Sequence, residues 1–154
     1  MTTFPTERRL ETMPSTVWQH LTMDRDITFA IGPEAKPVDA MARATAFARR
    51  TLPMLLKDAP GTVAVASNAI KVLAELVDIT ARDRHGTDVL GRVAFDGAHI
   101  TVSVGEMSSS LPSPDEEPGL YLVCGLADDI GQYRSDEGGY TTWVSVPVHS
   151  SGQE

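Results

Sequence analysis

One stretch constrains the fold more than any other. Between Gly61 and about Arg84, apolar positions recur at Val63, Ala66, Ile70, Leu73, Val77 and Thr80. Steps of three and four put them on one face of a helix. A helix of this kind holds in water mainly by burying that face, so the rest of the chain must supply a second layer. Gly86 is placed to end the helix in the left-handed conformation that glycine adopts most easily. The period then changes from 3.6 to 2. Val89 to Phe95 reads as one strand, and Ile100, Val102 and Val104 alternate with Thr101 and Ser103 to give another. Asp96-Gly97 between them is a hairpin turn signal. The second layer is therefore a sheet with one face turned to the helix.

The remaining elements extend the same plan. Ile27, Phe29 and Ile31 alternate with Thr28 and Ala30, and Gly32-Pro33 ends the strand. A second helical segment runs from about Val38 to Lys57, rich in Ala, Met, Arg and Leu. Pro53 is expected to kink it or to start another short helix. Met107 to Glu117 is a polar loop of Ser, Pro and acidic residues. Pro118-Gly119 starts a short apolar helix, Leu120 to Asp128. Two strands, about Ile130 to Arg134 and Tyr140 to Val148, flank Glu137-Gly138-Gly139. The order strand, helix, helix, strand, strand, loop, helix, strand, strand predicts an α+β domain, with helices covering one face of a mixed, mostly antiparallel sheet. That domain occupies residues 26–148. Before it, residues 1–25 form an N-terminal arm whose apolar cluster, Val17, Trp18 and Leu21, reads as a short docked helix or as an arm that packs on a partner. Residues 149–154 are a polar tail expected to be disordered.

Composition narrows the function classes. A chain of 154 residues fits one domain. Its formal net charge of −8 repels nucleic acid unless basic residues cluster, and the short groups Arg8-Arg9, Arg49-Arg50 and Arg82 to Arg84 make no stripe. Cys124 is the single cysteine, so no intrachain disulfide can form and a reducing compartment is expected. No apolar run approaches the roughly 18 residues of a membrane helix, and Met1 to Pro5 open no signal core. The expected location is the cytoplasm.

Five segments carry a resemblance. They are Ala44 to Leu52 (ATAFARRTL), Glu75-Leu76-Val77, Ile100 to Pro112 (ITVSVGEMSSSLP), Gly119 to Val123 with Leu126-Ala127-Asp128, and Gly139 to Val146 (GYTTWVSV). In this order and at this spacing the chain resembles the histidine-kinase-like (Bergerat) ATPase domains of small actinobacterial regulators, similar to anti-sigma factors that bind sigma factors and phosphorylate an antagonist on serine. The resemblance covers roughly residues 26–148. It implies a two-layer α/β sandwich and gives individual residues family positions. Glu75 stands at the general-base position. Glu106, after Gly105, stands where an aspartate reads adenine. Gly119 and Leu120 stand at the second glycine box.

The chain departs from the family where the chemistry is done. Counting from Glu75, the magnesium-holding asparagine becomes Ile79, and magnesium needs hard oxygen ligands. Asp78 lies about 100° round the helix from it. Glu106 keeps an acceptor but adds a methylene, and Ser108 replaces the glycine two residues on. Only Gly119 remains of Gly-x-Gly, behind Asp115, Glu116 and Glu117, which repel a triphosphate. The expectation is a regulatory protein-binding module on a degenerate ATPase fold, without catalysis. No magnesium is expected, and at most weak ATP or ADP affinity through Glu106. The expected partner is a sigma factor or a helix-turn-helix transcription regulator, whose basic character suits the acidic surface. The competing reading is an ATP-dependent serine protein kinase with a displaced metal ligand. A homodimer through the leading strand and the arm is the third.

Other residues read as structural. His20, His85, His99 and His149 have no Cys or acidic partner at metal-ligand spacing and are expected at the surface. Cys124 is expected in the core. The run Ser108-Ser109-Ser110 sits in the loop as a possible phosphorylation target. Trp143 is placed either under the helices or on an exposed sheet face that a partner covers.

Overall fold

The computed structural model describes residues 25–57, 62–84, 86–136 and 138–148. Most of the N-terminal arm, Trp18, His20, His85, His149 and the tail lie outside the described residues. Five strands and three helices follow in the expected order: β1 (Arg25–Ile31), α1 (Pro37–Leu55), α2 (Thr62–Asp83), β2 (Val89–Phe95), β3 (His99–Met107), α3 (Gly119–Leu126), β4 (Asp129–Arg134) and β5 (Tyr140–Pro147). The strands form one sheet in the order β1-β2-β3-β5-β4. Every pairing is antiparallel, so the parallel component expected of a mixed sheet is absent among the described strands. The protein is an α+β fold in two layers.

α2 lies over β3 and β5, α1 reaches over β1, and both α1 and α3 pack against α2. The α1–α2 contact rests on small residues. Ala40, Ala44 and Ala48 follow one another at intervals of four and have no exposed surface, so the two backbones approach closely. Leu52 and Leu55 continue the row. Pro53 starts no new helix: it lies in the last turn of α1, which runs on to Leu55. Arg25 completes that end by donating to the carbonyls of Met54, Leu55 and Lys57.

The burial of α2 differs from the single row its sequence suggests. Val63 is 85% exposed, whereas Val65, Ala69, Val72, Leu73, Leu76, Val77, Ile79 and Thr80 are buried. Packed on the sheet and flanked by α1 and α3, the helix buries a stripe much wider than one row. Its end is followed by Gly86 at φ +70, and Arg84 binds carbonyls of Ile31, Gly32, Pro33 and Thr87 to tie that end to the strand β1 side.

The strands alternate as their sequences indicate. Val89, Val93, Ile100, Val102, Val104, Thr142, Val144 and Val146 are buried against the helices. Trp143 pairs with Ser103 and Gly131 on the opposite face, which none of the described helices covers, and this resolves its two possible placements. Cys124 departs from expectation. It is exposed, because the short helix α3 buries only Leu120 and Val123.

Candidate functional site

The site residues named from the sequence fall into two places. Glu75 and Gly119 come together. The Glu75 carboxylate lies over the α-carbon of Gly119, so closely that a β-carbon there would stand 2.0 Å from Oε1. Glycine at this position lets the side chain of α2 meet the first residue of α3. Asp78 and Glu117 belong to the same cluster, joined by Arg82. Its Nη2 donates to Asp78 at 2.9 Å and to Glu117 at 2.6 Å, while Nε and Nη1 add bonds of 3.1 Å to each. Arg82, braced by Asp78, thus holds Glu117 at the end of the acidic loop against α2, with the Glu75 carboxylate beside them. Desolvation raises the pKa of Glu75, the charges of Asp78 and Glu117 raise it further, and Arg82 opposes them. The dipole of α3 welcomes a carboxylate at this end.

Glu106 goes elsewhere, and the cause is a bulge. Strand β3 pairs regularly with β5 up to Val104 opposite Thr142, and then Met107 opposes Tyr140. Two residues, Gly105 and Glu106, therefore face Thr141 alone, and a bulge of this kind re-aims the side chains beyond it. Without it, the alternation of Ile100, Val102 and Val104 would carry Glu106 to the helix side. With it, Met107 takes that side, 2% exposed, and its sulfur receives contacts of 3.6 Å from Gln132 Nε2 and Thr142 Oγ1. Glu106 instead accepts a bond from Ser135 Oγ at 2.7 Å and lies over Gly139. It lines an open groove of about 620 Å³ together with Gly86, Thr87, Asp88, Leu90, Ser108 and Gly138. That groove shares no lining residue with the Glu75 cluster.

The side chains at the positions that the resemblance would give to a magnesium-bound nucleotide do not offer its ligand chemistry. Ile79 is buried to 3% exposure and offers no oxygen. Leu120 is buried among core residues. The amides that would face a phosphate are engaged, since Leu120 donates to the Glu117 carbonyl at 2.9 Å and Tyr121 to that of Pro118 at 3.0 Å. Carboxylates crowd the same helix end. Among the described residues, no three His, Cys, Asp or Glu side chains are placed to hold a metal ion, and no helix is long and apolar enough to cross a membrane.

Three features escaped sequence reading. Asp83 accepts from both the amide and the hydroxyl of Ser109, fixing the loop after β3 to the end of α2. His99 Nε2 lies 2.9 Å from Asp128. The third is the outer side of α3. This helix has no charged residue, yet Tyr121 is 59% and Leu122 40% exposed, with Cys124 and Gly125 beside them. Asp115, whose carboxylate accepts from the Tyr121 hydroxyl, and Glu116 precede it, and Asp128 and Asp129 follow it. The absence of charge in Gly119 to Leu126 was the available signal.

No family model matches the chain, and no curated protein matches it in sequence.

Proposed function

We propose that this protein is a regulatory protein-binding module that holds its partner on the outer side of α3 and transfers no phosphate. The observation that carries the reading is an uncharged helix half exposed between acidic segments, with Tyr121 and Leu122 outward. Aromatic and aliphatic side chains inside a charged rim are the usual anatomy of a recognition surface. The rim is acidic and the whole chain carries −8, so the complementary partner is basic, with an apolar helix face to lay on α3. A sigma factor or a helix-turn-helix transcription regulator has that chemistry. The aliphatic and occupied groups at the nucleotide positions support a role without catalysis on a histidine-kinase-like scaffold.

The test is calorimetric titration of the protein against purified sigma factors and helix-turn-helix regulators of its host. Leu122→Asp should weaken binding at least tenfold. Absence of binding to any of them at about 10 μM, worth roughly 7 kcal/mol, or an unchanged affinity for Leu122→Asp, overturns the reading. A parallel titration with ATP separates the competing one. Micromolar affinity that strengthens with Mg²⁺ would favour the serine kinase, and Glu75→Gln would then be expected to abolish phosphate transfer.

A further inference from the structure

The face of the sheet that no described helix covers has an unusual composition. Its residues, read from the strand registers, are Asp26, Thr28 and Ala30 on β1, Leu90, Arg92 and Ala94 on β2, His99, Thr101 and Ser103 on β3, Thr141, Trp143 and Ser145 on β5, and Asp129, Gly131 and Tyr133 on β4. Its charges are peripheral. Asp26 and Arg92 neutralise each other at 2.7 Å, and Asp129 stands on the far edge strand. Between His99 at one end of β3 and Glu106 at the other, β3 and β5 present no charged residue there, in a chain that is 22% charged. Leu90 is 46% and Tyr133 47% exposed, and Trp143 lies flat over Gly131, where a β-carbon would stand 2.5 Å from the indole. A sheet face meant for water normally alternates charged and polar residues along its strands.

We infer that this face is the seat of the chain's own N-terminal segment, residues 1–24. The inference is independent of the α3 reading and concerns the opposite layer. Size is the first argument. Five strands about 4.8 Å apart and about seven residues long make a face of about 500 Å², short of the roughly 800 Å² per partner of a stable dimer but suited to one segment laid across it. Connection is the second. The segment joins the sheet at Arg25, on edge strand β1. Trp18 lies seven residues upstream, a reach of about 24 Å, while Trp143 on β5 lies three strand spacings away, about 14 Å. A tethered segment also binds at high effective concentration. Composition is the third. Residues 12–23 contain no Asp, Glu, Lys or Arg, and they hold Met13, Val17, Trp18 and Leu21. A segment free of Asp, Glu, Lys and Arg thus precedes a face whose charges lie at its ends and edges, and it can reach that face.

Disulfide trapping in the full chain tests this. In a Cys124→Ser background, Trp18→Cys is combined with Ser103→Cys on the open face or with Arg50→Cys on the exposed side of α1. Seating predicts rapid intramolecular cross-linking to position 103, at least tenfold faster than to position 50. Equal rates at the two positions overturn the inference, and so does a cross-link at 103 that forms only between molecules, which would assign the face to a second copy. An independent readout uses Trp143 as the single tryptophan in Trp18→Phe. Adding Val17→Asp and Leu21→Asp should raise its acrylamide quenching at least twofold, and unchanged quenching would contradict the seating.

Discussion

Replacing Arg82 by methionine removes one guanidinium and keeps much of its aliphatic stem, so the change isolates charge and hydrogen bonding. Arg82 makes two bonds to Asp78 and two to Glu117, of 2.6 to 3.1 Å. Its side chain is 43% exposed, so solvent screens it, while Asp78 and Glu117 are 25% and 19% exposed. Exposed pairs contribute less than about 1 kcal/mol, and forked charge-assisted bonds reach the upper end of that range. Two such pairs give about 2 kcal/mol. The loss also leaves Glu75, Asp78 and Glu117 as unbalanced neighbours. For a domain of this size, about 2 kcal/mol lowers Tm by roughly 4 to 8 °C. Differential scanning calorimetry in 50 mM and 1 M NaCl reads the effect. The drop should shrink by about half at high salt, where the Debye length falls to about 3 Å. Arg82→Lys should recover less than half, because an ammonium restores charge without the fork. A Tm change below about 1 °C, or one that salt and lysine leave untouched, would refute the ionic account of how the acidic loop is held.

Glu75→Gln should stabilise the protein at pH 7, by about 0.5 kcal/mol for a half-buried carboxylate beside two like charges. Folding raises the Glu75 pKa, so the folded state binds its proton more tightly and stability falls as pH rises through that titration. The gain from Gln should therefore be complete at neutral pH and vanish below about pH 4, where the unfolded carboxyl is protonated too; a gain that persists there counts against the cause. Gly91→Ala drives a β-carbon to 2.1 Å from the Phe29 ring, which packs against Phe47 in a tilted arrangement with ring centroids 5.2 Å apart. Urea unfolding should show a loss of about 1 to 3 kcal/mol, and a neutral result would mean that the ring moves freely. Gly131→Ala in a Trp18→Phe background should displace the Trp143 indole and shift its emission, whereas an identical spectrum would place the ring off Gly131.

The layers were legible because they depend on periodicity. Steps of three and four gave α2, alternation gave β2 and β3, and Asp96-Gly97 gave their turn, where Gly97 sits at φ +94. What escaped depends on contacts between elements. Val63 fits the α2 row yet is exposed, because burial is decided by the neighbours packed on each turn. Cys124 lies in an apolar segment that looks like core, but α3 rests on α2 by one side only. Glu106 was legible as a strand-end acid but not as one turned away from the helices, because a bulge shifts the period by one residue. Gly105 was the visible hint, since glycine in a strand often marks such a bulge. Glu75 and Gly119, 44 positions apart in sequence, were connected only through the resemblance, and their proximity is a property of the assembled layers.

The strand order bears on how the molecule opens. β4 pairs with β5 alone, and β5 is joined to the rest of the sheet through β3. Arg134 and Tyr140, six residues apart, are partners at the hairpin end, while Ile100 and Val146 close a loop of 46 residues. The hairpin can therefore form early and locally, and its docking onto β3 bears the larger closure entropy. Release of the β3–β5 ladder together with the contacts of β5 and α3 on α2 would free β4, β5 and α3 as one cooperative unit while β1, β2, β3, α1 and α2 stay paired. Amide protons of β4 and β5 should accordingly exchange together, at a lower opening free energy than those of β2. A partner bound to α3 would raise the protection of that unit, and so make recognition visible in the backbone of strands it does not touch.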